Sequence, residues 1–66
     1  MIYVTFGQAH RHEIDGVVFD KDCVAVINSD NREAAFDIFG MKYCFTYTRK
    51  EDVEIGYYPR GFIEVK

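Results

Sequence analysis

The chain has no apolar run approaching the roughly 20 residues of a membrane span, and its first residues lack the basic-then-apolar layout of a secretory signal. Both absences predict a cytoplasmic protein with no membrane partner. A basic excess is missing as well, because 8 Lys and Arg stand against 11 Asp and Glu, for a formal charge of −3, with the signs interspersed. That balance disfavours nucleic acid as a partner, which needs a concentrated basic patch to engage phosphates. Two cysteines are too few for a disulfide framework. The five glycines fall singly at turn positions, so there is no phosphate-binding loop. Internal repeats, low-complexity tracts and linkers are absent, which leaves one domain over residues 1–66.

What is present is aromatic. Five Tyr and six Phe let a short chain build a core, since each ring buries roughly 150 Å² or more, and 66 residues lie near the size at which one core can offset chain entropy. Ile2, Val4 and Phe6 alternate with Tyr3 and Thr5 as a first strand ended by Gly7. Residues 8–16 are polar and read as a loop closed by Asp15-Gly16, after which Val17 to Phe19 resume before the Asp20-Lys21-Asp22 turn. Cys23 to Ile27 is an unbroken apolar run suited to the middle of a sheet.

Residues 30–47 carry a helix start, a helix stop and a strand. Asp30 is positioned to cap the first amides with Glu33 reaching back, over a helix of residues 31–39 that Gly40 ends. On a helical wheel Ala34, Ala35, Phe36, Ile38 and Phe39 share one broad arc. Tyr43, Phe45 and Tyr47 alternate with Cys44, Thr46 and Thr48 as a further strand, and Phe62 to Val65 make a short last one that Pro59 keeps out of a central position. The expected fold is therefore α+β: a single helix packed on one face of a mixed sheet of about four strands, containing a strand–helix–strand crossover of right-handed sense. One helix covers one sheet face. The other must be covered by the chain's own side chains, exposed, or occupied by a partner, and an open face would favour a weak homodimer.

Candidate sites follow from residue types. His10 and His12, with Cys23 and Cys44, are the donor types of a structural zinc site. However, the cysteines lie 21 residues apart inside apolar runs, so buried thiols acting as small hydrophobes are the expectation, with no metal and no cofactor. Asp15, Asp20 and Asp22 read as turn chemistry, and no nucleophile with a neighbouring base is in view, so the chain is expected not to be an enzyme. Tyr57-Tyr58-Pro59-Arg60-Gly61 is the most site-like segment, because tyrosine and arginine dominate protein-binding hot spots. Its structural alternative is a pair of tyrosines capping the sheet end beside a solvated arginine.

Thr5-Phe6-Gly7-Gln8, Arg11-His12-Glu13, the acid-flanked helix ending Phe39-Gly40 and Tyr58-Pro59-Arg60-Gly61 occur in an order and spacing that resembles a group of short uncharacterised proteins encoded by bacteriophages and prophages. That group carries a longer insert between its first two strands, so no role for His10 or His12 is carried over. The resemblance implies a phage origin and brings no assigned activity with it; because small acidic phage proteins often act by binding a host protein, such as a defence or transcription component, the expectation is a small phage-type interaction protein in the host cytoplasm. The expected contact residues are Gln8, His10, Arg11 and His12 from one loop and Tyr57, Tyr58 and Arg60 from the other. A nucleic-acid-associated module and a zinc-stabilised domain are the alternatives.

Overall fold

The apolar run Cys23–Ile27 is buried at all five positions because it lies inside a sheet with strands on either side. The structure, a computed structural model, describes residues 1–65. Along the chain it comprises β1 (Ile2–Thr5), β2 (His12–Ile14), β3 (Val17–Phe19), β4 (Cys23–Ile27), α1 (Glu33–Phe39), β5 (Phe45–Tyr47) and β6 (Gly61–Glu64). Strands β5, β1, β4 and β6 form one sheet in that order, and β2 and β3 form a separate hairpin. Strand β1 is antiparallel to both β4 and β5, whereas β6 is parallel to β4, so the sheet is mixed and the fold is α+β. The β4–α1–β5 unit is a strand–helix–strand crossover, joining two strands of the same direction with β1 between them. Strand β6, following Pro59, is an edge. Among the described residues no helix is long and apolar enough to cross a membrane.

One sheet face carries Ile2, Val4 and Phe6 beside Cys23, Ala25 and Ile27, and packs against Ala35 and Phe39 of α1 and Phe19 of β3. The Phe39 ring stands edge-on to Phe6 at 5.0 Å and to Phe19 at 5.6 Å, within the range in which aromatic pairs are favourable. The helix itself differs from expectation at its start. Asn31 Oδ1, not Asp30, accepts the Glu33 amide at 2.9 Å, and the Asn31 carbonyl accepts from Ala34. Ser29 Oγ in turn accepts the Asn31 amide at 3.1 Å. Asp30 instead lies 3.6 Å from the terminal ammonium, fully exposed, and Glu33 forms no return bond among the described residues. The Asx turn holds residues 31 and 32 outside the regular helix, which spans seven residues. At the other end Gly40, at φ 61°, donates to the Phe36 carbonyl and stops the helix as its residue type requires. So short a helix buries a narrow stripe, Ala35 and Phe39 at i and i+4. Phe36 lies off that stripe and is 53 % exposed, contrary to the wheel.

The polar segment between the first two strands also differs. Its second half is β2, paired as His12↔Phe19, Glu13↔Val18 and Ile14↔Val17. Asp15 (φ 51°) and Gly16 (φ 82°) are both left-handed, the requirement of a two-residue type I′ hairpin turn.

Strand order settles what lies on the second sheet face. Because β5 and β6 occupy opposite edges, the chain between them must cross the sheet, and residues 48–60 do so in two 3-10 turns, Lys50–Asp52 and Ile55–Tyr57. The crossing segment buries Val53 and holds Lys50 Nζ 4.9 Å above the Phe62 ring. Beneath it Thr5, Val24 and Val26 are buried. The face is thus self-covered over the two central strands. Phe45, on the β5 edge, is largely exposed there.

Asn31→Ala should lower unfolding free energy by about 1 kcal/mol, the usual value of a lost cap. Asp30→Ala should change it by less than about 0.5 kcal/mol, because exposed ion pairs contribute little. Chemical denaturation of both variants checks the assignment, and the reverse ranking would overturn it.

Candidate partner-binding site

Three chain segments meet at one end of the sheet. Gly7, at φ 62°, turns the chain as β1 ends and exposes Gln8. A Cβ at position 7 would meet Cys44 at 3.4 Å, an ordinary contact, so it is the left-handed backbone angle that calls for glycine here. The Asp20-Lys21-Asp22 turn links β3 to β4, with Asp20 Oδ1 accepting the Asp22 amide at 3.0 Å. The third segment is Tyr57 to Arg60. There the Gly61 amide donates to the Tyr58 carbonyl across a turn with Pro59 in its second position, and Gly61 adopts φ 71°.

Arg60 fastens the third segment to the second. Its amide donates to the Asp22 carbonyl at 2.9 Å and its Nη1 lies 3.4 Å from Asp20 Oδ1. The guanidinium expected to face a partner thus also reaches the Asp20 carboxylate, and the main-chain bond ties the tyrosine segment to the turn.

Between these segments lies a cleft of about 330 Å³ lined by Gly7, Gln8, Lys21, Tyr57 and Tyr58. Gln8 is exposed and Tyr57 is 77 % exposed, while Tyr58 is half-buried. Burial pushes the Tyr58 phenol above its ordinary value, against a smaller opposing pull from the Thr5 side chain. The structure thus joins one residue of the first expected loop to two of the second. It does not bring the other residues there. His10 is half-buried and Arg11 is exposed 3.9 Å from Glu13. The His12 ring stands edge-on to Phe39 at 5.3 Å, and its buried Nδ1 has no hydrogen-bond partner among the described residues. Lys21 is the lining residue that residue-type reasoning missed, since it was absorbed into a turn between two aspartates. Its Nζ lies 3.0 Å from Asp22 Oδ1.

The cleft offers an amide, an ammonium and two phenols, which supply hydrogen bonds and rigid aromatic area. The zinc donors do not converge. Among the described residues no group of three or more His, Cys, Asp or Glu is gathered as a metal site. Cys23 is buried in the core, where loss of solvent raises its thiol pKa, with Sγ 3.8 Å from the Asp20 carbonyl. Cys44, expected to be buried, is exposed, because it precedes the three-residue ladder of β5.

A thiol reagent should modify Cys44 rapidly in the native protein and reach Cys23 only on unfolding, as mass spectrometry of the labelled chain would show. Equal native labelling of both would contradict the burial of Cys23.

Alkaline pH should destabilise the fold through two groups. The folded state holds the Cys23 and Tyr58 protons more tightly than the unfolded chain does, so their contribution is fully present below the ordinary values of 9.0 and 10.0. It is lost as pH rises through the raised folded values. The denaturation midpoint should fall across that window, and Tyr58→Phe should flatten the upper part of the fall. A midpoint constant through pH 11 would refute the linkage.

Comparison of the chain with protein-family models, with curated proteins and with solved structures finds no match.

Proposed function

We propose that this chain is a small non-enzymatic interaction protein of the bacteriophage type, which binds a host protein in the host cytoplasm through the Gln8, Tyr57 and Tyr58 cleft. The observation that supports this reading is convergence. Gln8 and the two tyrosines are far apart in sequence, yet they line one cleft whose third wall, Lys21, comes from a separate turn. Tyr57 lies in a segment whose backbone is tied by the Arg60 amide to the Asp22 carbonyl and stiffened by Pro59, which reduces the backbone ordering cost of using it as an interface anchor. Among the described residues the one cation lining the cleft, Lys21, is paired with Asp22, which favours a protein partner over a phosphate backbone.

The test begins with a pull-down from host lysate, followed by affinity and melting measurements on variants. Tyr57→Ala should leave stability within about 0.5 kcal/mol, as surface changes do, and weaken partner binding by at least about 1 kcal/mol. Arg60→Ala should likewise change stability by less than about 0.5 kcal/mol, because its main-chain bond to the Asp22 carbonyl is retained and the ion pair to Asp20 is partly exposed. A Tyr57→Ala variant that binds the captured partner unchanged would refute the cleft as the contact. Capture that falls steeply with salt and requires nucleic acid would favour the nucleic-acid module.

A further inference from the structure

The sheet has a second feature, independent of the tyrosine cleft, at its β6 edge. Strand β6 pairs with β4 on one side only. The Val65 amide donates to the Val26 carbonyl, and the parallel register aligns Val24 with Phe62 and Val26 with Glu64. Main-chain groups in a strand alternate between its two sides, so Gly61, Ile63 and Val65 face β4. The amides and carbonyls of Phe62 and Glu64 therefore point away from the sheet.

In front of this edge lies a groove of about 490 Å³, within the size range of ligand sites. One wall is Phe62, Ile63 and Glu64. The opposite wall is the hairpin, with Ile14, Asp15, Val17 and Phe19. The hairpin pairs only within itself and stands off from β6. The four residues of the edge include no proline or lysine and pair with β4 in unbroken register, their one charged side chain being Glu64, while Lys50 of the crossing segment lies over the Phe62 ring; proline, lysine and bulges are the usual means of blunting an exposed edge. The walls are apolar except for Asp15 and Glu64, both acidic, and no basic side chain lines the groove among the described residues.

We infer that the β6 edge and the hairpin form a peptide-binding groove, which accepts an extended segment of a partner protein as an added strand. The segment has apolar side chains at alternate positions and a Lys or Arg directed at Asp15 and Glu64. Main-chain bonds to Phe62 and Glu64 supply sequence-independent affinity, and alternate side chains entering between the hairpin and Phe62 supply selectivity. Charge complementarity decides the occupant. An acidic peptide meets two carboxylates of like sign, and a second copy of this edge would bring two Glu64 side chains into one groove.

The test is selection of a random-heptapeptide display library on the purified protein, followed by nuclear magnetic resonance titration with the synthetic form of the enriched sequence. Expected are sequences that alternate apolar residues with Lys or Arg, and amide shifts at residues 62–64 and 14–17. Methylating alternate peptide amides should abolish binding. Glu64→Lys and Val17→Lys, both at exposed positions, should each weaken it at least about tenfold. Tyr57→Ala should leave it unchanged, which separates this groove from the tyrosine cleft. The inference is overturned by selection that enriches nothing, by acidic or non-alternating sequences, by binding indifferent to amide methylation, or by shifts confined to the tyrosine cleft.

Discussion

The edge-on packing of Phe39 against Phe6, Phe19 and His12 is the interaction on which the remaining structure depends. It is the point at which α1, β1 and the hairpin meet. Neither peripheral element is stable alone, since a seven-residue helix is below the length that persists in water and an isolated two-stranded hairpin is marginal. Each is held by burying rings in the same small volume. Removing one such ring costs about 3–5 kcal/mol, comparable with the whole stability of a small domain. The unpartnered Nδ1 of His12 is consistent with this priority, the imidazole contributing its ring face and edge rather than its hydrogen bonds.

The features legible in the sequence were those that local chemistry decides. The apolar run of β4, the Asp15-Gly16 turn, the stop at Gly40 and the edge position behind Pro59 each follow from at most five adjacent residues and their own local preferences. What was not legible depended on choosing among equivalent neighbours or on strand order. Ser29, Asp30 and Asn31 are three adjacent residues able to cap, and geometry selects Asn31. His12-Glu13-Ile14 holds a single aliphatic residue, too little to signal a strand until Phe19, Val18 and Val17 are placed opposite it. Cover of the second sheet face could not be read locally, because it follows from β5 and β6 lying at opposite edges. At the candidate site, tyrosine and glutamine were recognisable by type, but their meeting with Lys21 requires three separate turns to converge.

The C-terminal strand serves both surfaces. Arg60, just before it, and Gly61, its first residue, tie the tyrosine segment to the Asp20 turn, and its outer side forms one wall of the hairpin groove. The two surfaces use different chemistry, exposed aromatic area in one case and free main-chain groups in the other. A chain of 66 residues presents both because its core is confined to one aromatic cluster and one central strand pair.

The segment that crosses from β5 to β6 has a consequence for how the molecule opens. Detaching β6 from β4 cannot be a simple fraying of an edge, since the chain leading into it lies over Val24 and Thr5 and carries the Lys50 contact to Phe62. The strap and the strand must lift together, forming one cooperative unit whose release exposes the apolar second face. Amide protons of β1 and β4 that face each other are thereby shielded twice, by their own ladder and by the strap. Their exchange with solvent deuterium then reports the opening of the whole domain rather than motion at its margins.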